Sequence, residues 1–291
     1  MTFNDNASLN TSGVRRGGRG AAIGGGLGGF GLIGAVLYFM LTGQIPDFGQ
    51  SYEAPVNAHE TPLSEMCRTG ADANHNVECR MVAGMNSINN FWNQQLPQET
   101  GTSNRQPELV LYSGSVQTAC GLGTSQTGPF FCGGDDSIYI DVAFFDQLNQ
   151  MGARNEELAQ LYILAHEYGH HIQLMTGILQ RIDHHSSGED SSMVRSELQA
   201  DCLAGAWIHN ASHTVDEHGN QLMKAPTAQE LQDALAAAQA VGDDRIYESA
   251  GMQANPDNFS HGSAEKRMEW LTRGMENGTF AACNTWDVAH P

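Results

Sequence analysis

Basic side chains are scarce in this chain: 14 lysines and arginines stand against 33 aspartates and glutamates among 291 residues. Three of the fourteen, Arg15, Arg16 and Arg19, come early, and beyond residue 43 the balance is 11 basic to 32 acidic. So acidic a body repels phosphate backbones, which excludes nucleic acid as a partner. The six cysteines include no C-x-x-C pair, so neither a cysteine zinc site nor a redox dithiol is encoded. No G-x-S-x-G occurs, so the serine-hydrolase elbow is absent too. There is no internal repeat.

One long uncharged run exists, AAIGGGLGGFGLIGAVLYFMLTG at 21–43. As a helix it would span roughly 33 Å, enough to cross a bilayer. A cleaved signal peptide would have a shorter apolar region and a small-x-small site, which TGQIPDFGQ does not offer. The run therefore reads as an uncleaved N-terminal transmembrane helix. The arginines on its N-terminal flank place 1–20 in the cytoplasm as a basic tail and the rest outside. Gly20, Gly24 and Gly28 form a small-xxx-small row that would let such helices pair. Residues 44–62 carry Pro46, Pro55 and Pro62 without hydrophobic period and read as a linker. The expected body is one domain, 63–291.

Outside the cytoplasm the cysteines become a disulfide framework. Six cysteines allow fifteen pairings. The shortest closures, Cys67–Cys79 and Cys120–Cys132, with Cys202–Cys283 tying a helix to the C-terminus, are the working expectation. Periodicity predicts a helix from about Asn76 to Leu96, with Val82, Met85, Ile88, Phe91 and Trp92 on one face. PELVLYSG (107–114) and SIYIDVAFF (137–145) read as strands around a Gly-rich, Cys-bounded loop. Further helices are expected from an Asn155 cap to about Thr176, stopped by Gly177, and over 192–209, 228–241 and 263–275. Helices with a small sheet make an α+β domain.

The chemistry lies in LAHEYGHHIQ (164–173). His166 and His170 are one helical turn apart, so their imidazoles leave the same face about 6 Å apart. One tetrahedral Zn²⁺ can accept both. Glu167 sits beside the first histidine, where it can serve a water on the metal without binding the metal itself. A third ligand of the metzincin type fails, because those positions hold Gln173 and Thr176. SELQADCLAGAW instead offers Glu197 as third ligand, with Asp201 one turn later to accept the N–H of a ligand histidine. Two acids in such apolar company call for a cation or a histidine.

These stretches, with CGLGTSQTGPFFCGGDDSIYIDVAFF, GDDR (242–245) and HGSAEKR (261–267), resemble the bacterial neutral zinc metallopeptidase family. The resemblance covers most of the chain from Pro107 onward. It implies a zincin-like fold, zinc held by His166, His170 and Glu197, and Glu167 as catalytic base. The arginine-flanked apolar run points to a bacterial inner-membrane protein with its catalytic domain periplasmic or extracellular, and the strand before the zinc helix favours a polypeptide substrate. By order along the chain, His261 resembles the histidine with which thermolysin-like enzymes stabilise an oxyanion; its other reading is a residue holding the 251–261 loop.

Elsewhere, His171 points about 100° away from the ligand face and reads as a packing or surface histidine. DHH (183–185) reads as a solvated loop, and GGDD (133–136) as a turn rather than a calcium loop. SIYIDVAFF is expected to border the cleft and offer its edge to an extended peptide. Two other functions fit the same zinc site: a zinc-stabilised envelope interaction module without catalysis, and an amidase acting on cell-wall peptides.

Overall fold

A computed structural model describes residues 2–17, 61–149 and 151–291. The expected anchor at 21–43 and nearly all of the linker at 44–62 lie outside these residues. Among the described residues, no helix is long and apolar enough to cross a membrane.

The elements in chain order are β1 (Val14–Arg16), α1 (Leu63–Met66), α2 (Gly70–His75) and α3 (Val77–Thr100). A β-rich stretch follows: β2 (Glu108–Tyr112), β3 (Ser115–Thr118), β4 (Gly121–Thr124), β5 (Phe130–Cys132) and β6 (Ser137–Asp141). The rest is helical: α4 (Phe144–Leu148), α5 (Glu157–Met175), α6 (Ser192–Asn210), α7 (Ala228–Ala240), α8 (Asp243–Ser249) and α9 (Ala264–Asn277). The α+β class is as expected.

The main sheet has the order β1-β2-β6-β5. Only β5 runs antiparallel to its neighbour. Leu109 and Leu111 pair with Ile138 and Ile140 and face the helical core. Val110, Tyr112 and Tyr139 face the other way, into a small cluster with Val116 of the β3–β4 hairpin. Burial on both faces explains why β6 reads as an almost unbroken apolar run. The strand expected over 137–145 stops at Asp141, where VAFF turns away into α4.

Helix starts follow local chemistry. The Asn76 side chain accepts from the backbone N–H of Glu78 and Cys79, and Ser191 and Ser263 cap α6 and α9 in the same way. The expected Asn155 cap does not hold: Glu156 is the N-cap of α5, and Asn155 instead accepts from the Gln160 side chain. Helix α3 runs through Pro97 to Thr100 and ends at Gly101, which adopts φ 75°. The three disulfides are Cys67–Cys79, Cys120–Cys132 and Cys202–Cys283, the expected pairs.

The largest departure from expectation is at the N-terminus. Residues 2–17 are not a separate basic tail but part of the body. Phe3 is fully buried and bridges to Met223, while β1 adds to the sheet beside β2. The N–H of Phe3 donates to Asn74 Oδ1 and that of Ser8 to Asp216 Oδ2, each at 2.8 Å. Gly70 is required here, because a Cβ would collide with the carbonyl of Asn4. Arg16 reaches across to the Thr61 carbonyl at 2.7 Å, so residues 17 and 61 leave from one corner of the molecule. A single crossing by 21–43 would put 2–17 and 61–291 on opposite sides of a membrane, which this packing contradicts.

Candidate metal centre

Helices α5 and α6 build the site. Leu158, Leu161 and Leu164 of α5 are fully buried, which fixes the rotation of the helix and aims His166 and His170 at α6. The helices approach closely at Gly169, where a Cβ would lie 3.0 Å from the Cα of Ala200. That approach brings Glu197 over the two histidines. Its Oε2 is 3.2 Å from His166 Nε2, and its Oε1 is 3.5 Å from His170 Nε2. Donor atoms of the three residues all lie within 4.8 Å of one another.

The donor set fits Zn²⁺. Two ligand atoms about 2.05 Å from a tetrahedral zinc are about 3.3 Å apart, close to both observed separations. Each histidine is also held by its far nitrogen. His166 Nδ1 is 2.8 Å from Asp201 Oδ1, and His170 Nδ1 is 3.0 Å from Gln173 Oε1. With Nδ1 of each ring engaged in this way, Nε2 is the nitrogen turned toward Glu197 and the common centre. Asp201 is thus within hydrogen-bond distance of one of the two histidines. Gln173 was missed as a partner, although its place three residues after His170 puts it on the same helical face. It is fixed in turn, donating to the Ser196 carbonyl and to Gln199 Oε1.

Glu167 is only 8% exposed. Burial pushes its carboxyl up, against the opposing pull of the two histidine charges. Burial also raises Glu197, but the charge of His170 and the hydrogen bond from His166 outweigh this and hold it below the ordinary range. Next to the site is a buried cation invisible to the motif: Arg267, at the start of α9, donates to both oxygens of Asp201.

His261 lies outside the three-donor cluster but close enough that its charge helps lower the Glu197 pKa. Its Nδ1 is 3.1 Å from Asp243 Oδ1. The backbone N–H groups just before α9 meet an anion supplied from within the fold. Asp243 Oδ2 accepts from the backbone of Ser260, His261 and Gly262. Burial lowers the His261 pKa, yet Asp243 outweighs it and leaves the imidazole raised.

His171 is fully buried and bonds Asp136 at 2.7 Å, so of its two expected readings, packing or surface, it takes the packing one. Asp136 sits in a turn at φ 54°, and His184 and His185 are exposed. Contrary to expectation β6 offers no edge, being flanked by β2 and β5; among the described residues the outer strands of this sheet are β1 and β5.

The family model described as "Putative neutral zinc metallopeptidase" matches residues 3–286. The uncharacterized protein Rv2575 of Mycobacterium tuberculosis is 44% identical over 225 residues, covering 77% of this chain and 75% of the relative. The uncharacterized protein YpfJ of Escherichia coli K12 is 39% identical over 201 residues, covering 67% of this chain and 66% of the relative. No solved structure gives a significant match.

Proposed function

The chain belongs to the neutral zinc metallopeptidase family, and from that premise we propose that it hydrolyses peptide bonds, with Glu167 as general base. His166, His170 and Glu197 hold the zinc, which when bound supplies a Lewis acid that acidifies a water and polarises a carbonyl. The observation that carries the reading is the position of Glu167. It is a buried carboxylate one residue from a ligand, with its basicity raised by burial.

Glu167 accepts the proton of the attacking water and delivers it to the leaving amine. His261, whose Nδ1 is held by Asp243, donates to the oxyanion that develops on the carbonyl. The substrate lies along β5, an outer strand of the sheet among the described residues, whose edge can take an extended peptide through main-chain hydrogen bonds.

Three disulfides support an extracytoplasmic site of action. The uncharged composition of 21–43 supports attachment to the membrane. The single crossing is not carried forward, because both flanks of that segment pack on one body.

Proteome-wide cleavage profiling of the wild type against Glu167→Gln tests the proposal. The variant is expected to keep zinc and fold while losing every cleavage. Cleavage of sacculi but not of casein would favour the cell-wall amidase. A cellular role that survives Glu167→Gln unaltered would favour the binding module.

A further inference from the structure

Asp201 is completely buried and ties its own helix, α6, to two others, α5 and α9. Its Oδ1 accepts from Tyr162 of α5 at 2.6 Å and from His166 at 2.8 Å. Arg267 of α9 completes the set, with Nε 2.8 Å from Oδ2 and Nη2 3.0 Å from Oδ1. The guanidinium is itself only 5% exposed. It is held in plane by the Val241 carbonyl at 3.1 Å and by the Tyr162 hydroxyl at 3.3 Å.

We propose that Arg267 is a positioning residue for the metal site: its planar fork fixes the Asp201 carboxylate and, through it, the ring of His166. The inference rests on the reading of His166 as a zinc ligand. A carboxylate can rotate about its last bond, and a single hydrogen bond to an imidazole does not stop it. Two parallel N–H donors on different oxygens do. Arginine supplies both from one rigid group, whereas a lysine supplies a point charge without the second direction. The guanidinium also balances a buried anion whose remaining partners are a neutral phenol and an imidazole that must be neutral to bind metal.

The delivery of Arg267 is itself constrained. Ser263 caps α9 one turn earlier, and α9 lies so close to α6 that a Cβ on Gly274 would meet the Cys202 carbonyl. Cys202 follows Asp201 directly and is tied to Cys283 beyond α9. Arg267 and His261 thus share one short segment, so the element that orients the metal ligand also carries His261.

The test is zinc affinity by chelator competition on the full chain, for the wild type, Arg267→Met, Arg267→Lys, Asp201→Asn and the Arg267→Met/Asp201→Asn double variant. The visible spectrum of the Co²⁺-loaded proteins is the second readout. Arg267→Met should weaken zinc binding by about 10–100-fold and alter the cobalt spectrum, as changes behind a metal ligand do. Lysine should restore only part of the loss. In the double variant the two losses should not add, because both act on His166 through one path. Unchanged affinity and spectrum in Arg267→Met or Arg267→Lys, with only earlier melting of the metal-stripped protein, would overturn the proposal and leave the zinc reading intact. Should the methionine variant not fold, the lysine variant decides by the same two readouts. Zinc binding that survives His166→Ala would instead sink the ligand assignment on which the inference stands.

Discussion

Nδ1 of His166 and Oδ1 of Asp201 stand 2.8 Å apart, with the aspartate completely sealed from solvent. The bond sets the tautomer of the imidazole and leaves Nε2 for the metal. Asp201→Ala is expected to cost about 10–100-fold in zinc affinity. Equilibrium dialysis against a zinc buffer measures this; unchanged affinity would remove Asp201 from the site.

Glu197→Ala should abolish stoichiometric zinc binding, since the two histidines alone do not complete the donor set. The thermal shift on adding zinc should vanish with it. If the variant still holds one zinc per chain by elemental analysis, a different residue is the third ligand.

In the metal-stripped protein the His166 pKa is pushed up to about 10 from 6.5: burial opposes the charge, but the charge and hydrogen bond of Asp201 and the hydrogen bond of Glu197 outweigh it. A histidine raised in this way stabilises the fold fully below pH 6.5, and the contribution disappears as pH climbs through about 10. Melting temperatures after chelation should therefore fall across that window, and Asp201→Asn should flatten the fall. Parallel curves for the two proteins would show that the pair is not linked to folding.

His261→Ala should retain zinc and lose on the order of 10²–10³ in kcat, the usual cost of one oxyanion donor. Asp243→Asn should reproduce part of that loss, because it loosens the same ring. Early melting at full specific activity would make His261 a loop-holding residue only.

The docked N-terminal segment predicts its own sidedness. Ser12 and Glu217 are both exposed on the one body. Cysteines placed at these two positions should react with a membrane-impermeant maleimide under the same conditions in intact cells. Labelling of one before permeabilisation and of the other only afterwards would separate the segment from the body. Phe3→Ala should destabilise by about 3–5 kcal/mol, as emptying a buried aromatic site does; denaturant unfolding measures it.

Much of this site is written in short-range spacing. One helical turn relates His166 to His170 and Glu197 to Asp201, so helix geometry alone puts each pair on a face. Helices with strong caps, such as the one behind Ser263, are legible for the same reason. Arg267 was not, because its partner Asp201 is 66 positions away and nothing local marks the pairing. Strands β3, β4 and β5 hid in a Gly-rich loop, since pieces of three or four residues carry too little alternation to show a period. Segment 2–17 was misread because charge next to an apolar run points to membrane topology, while the contacts of Phe3 and Val14 are remote in sequence.

The docking of Ser8 onto Asp216, 208 positions further along, also sets an order of events during synthesis. At about 5–20 residues per second, roughly 10–40 s separate the appearance of the two partners. Through that interval the strand bridge between Phe3 and Met223 cannot form, because the Met223 segment has not yet been made. The first residues of this body to emerge are among the last to settle. Until they do, an aromatic side chain and an unpaired sheet edge along β2 stay open to chaperones and to neighbouring chains.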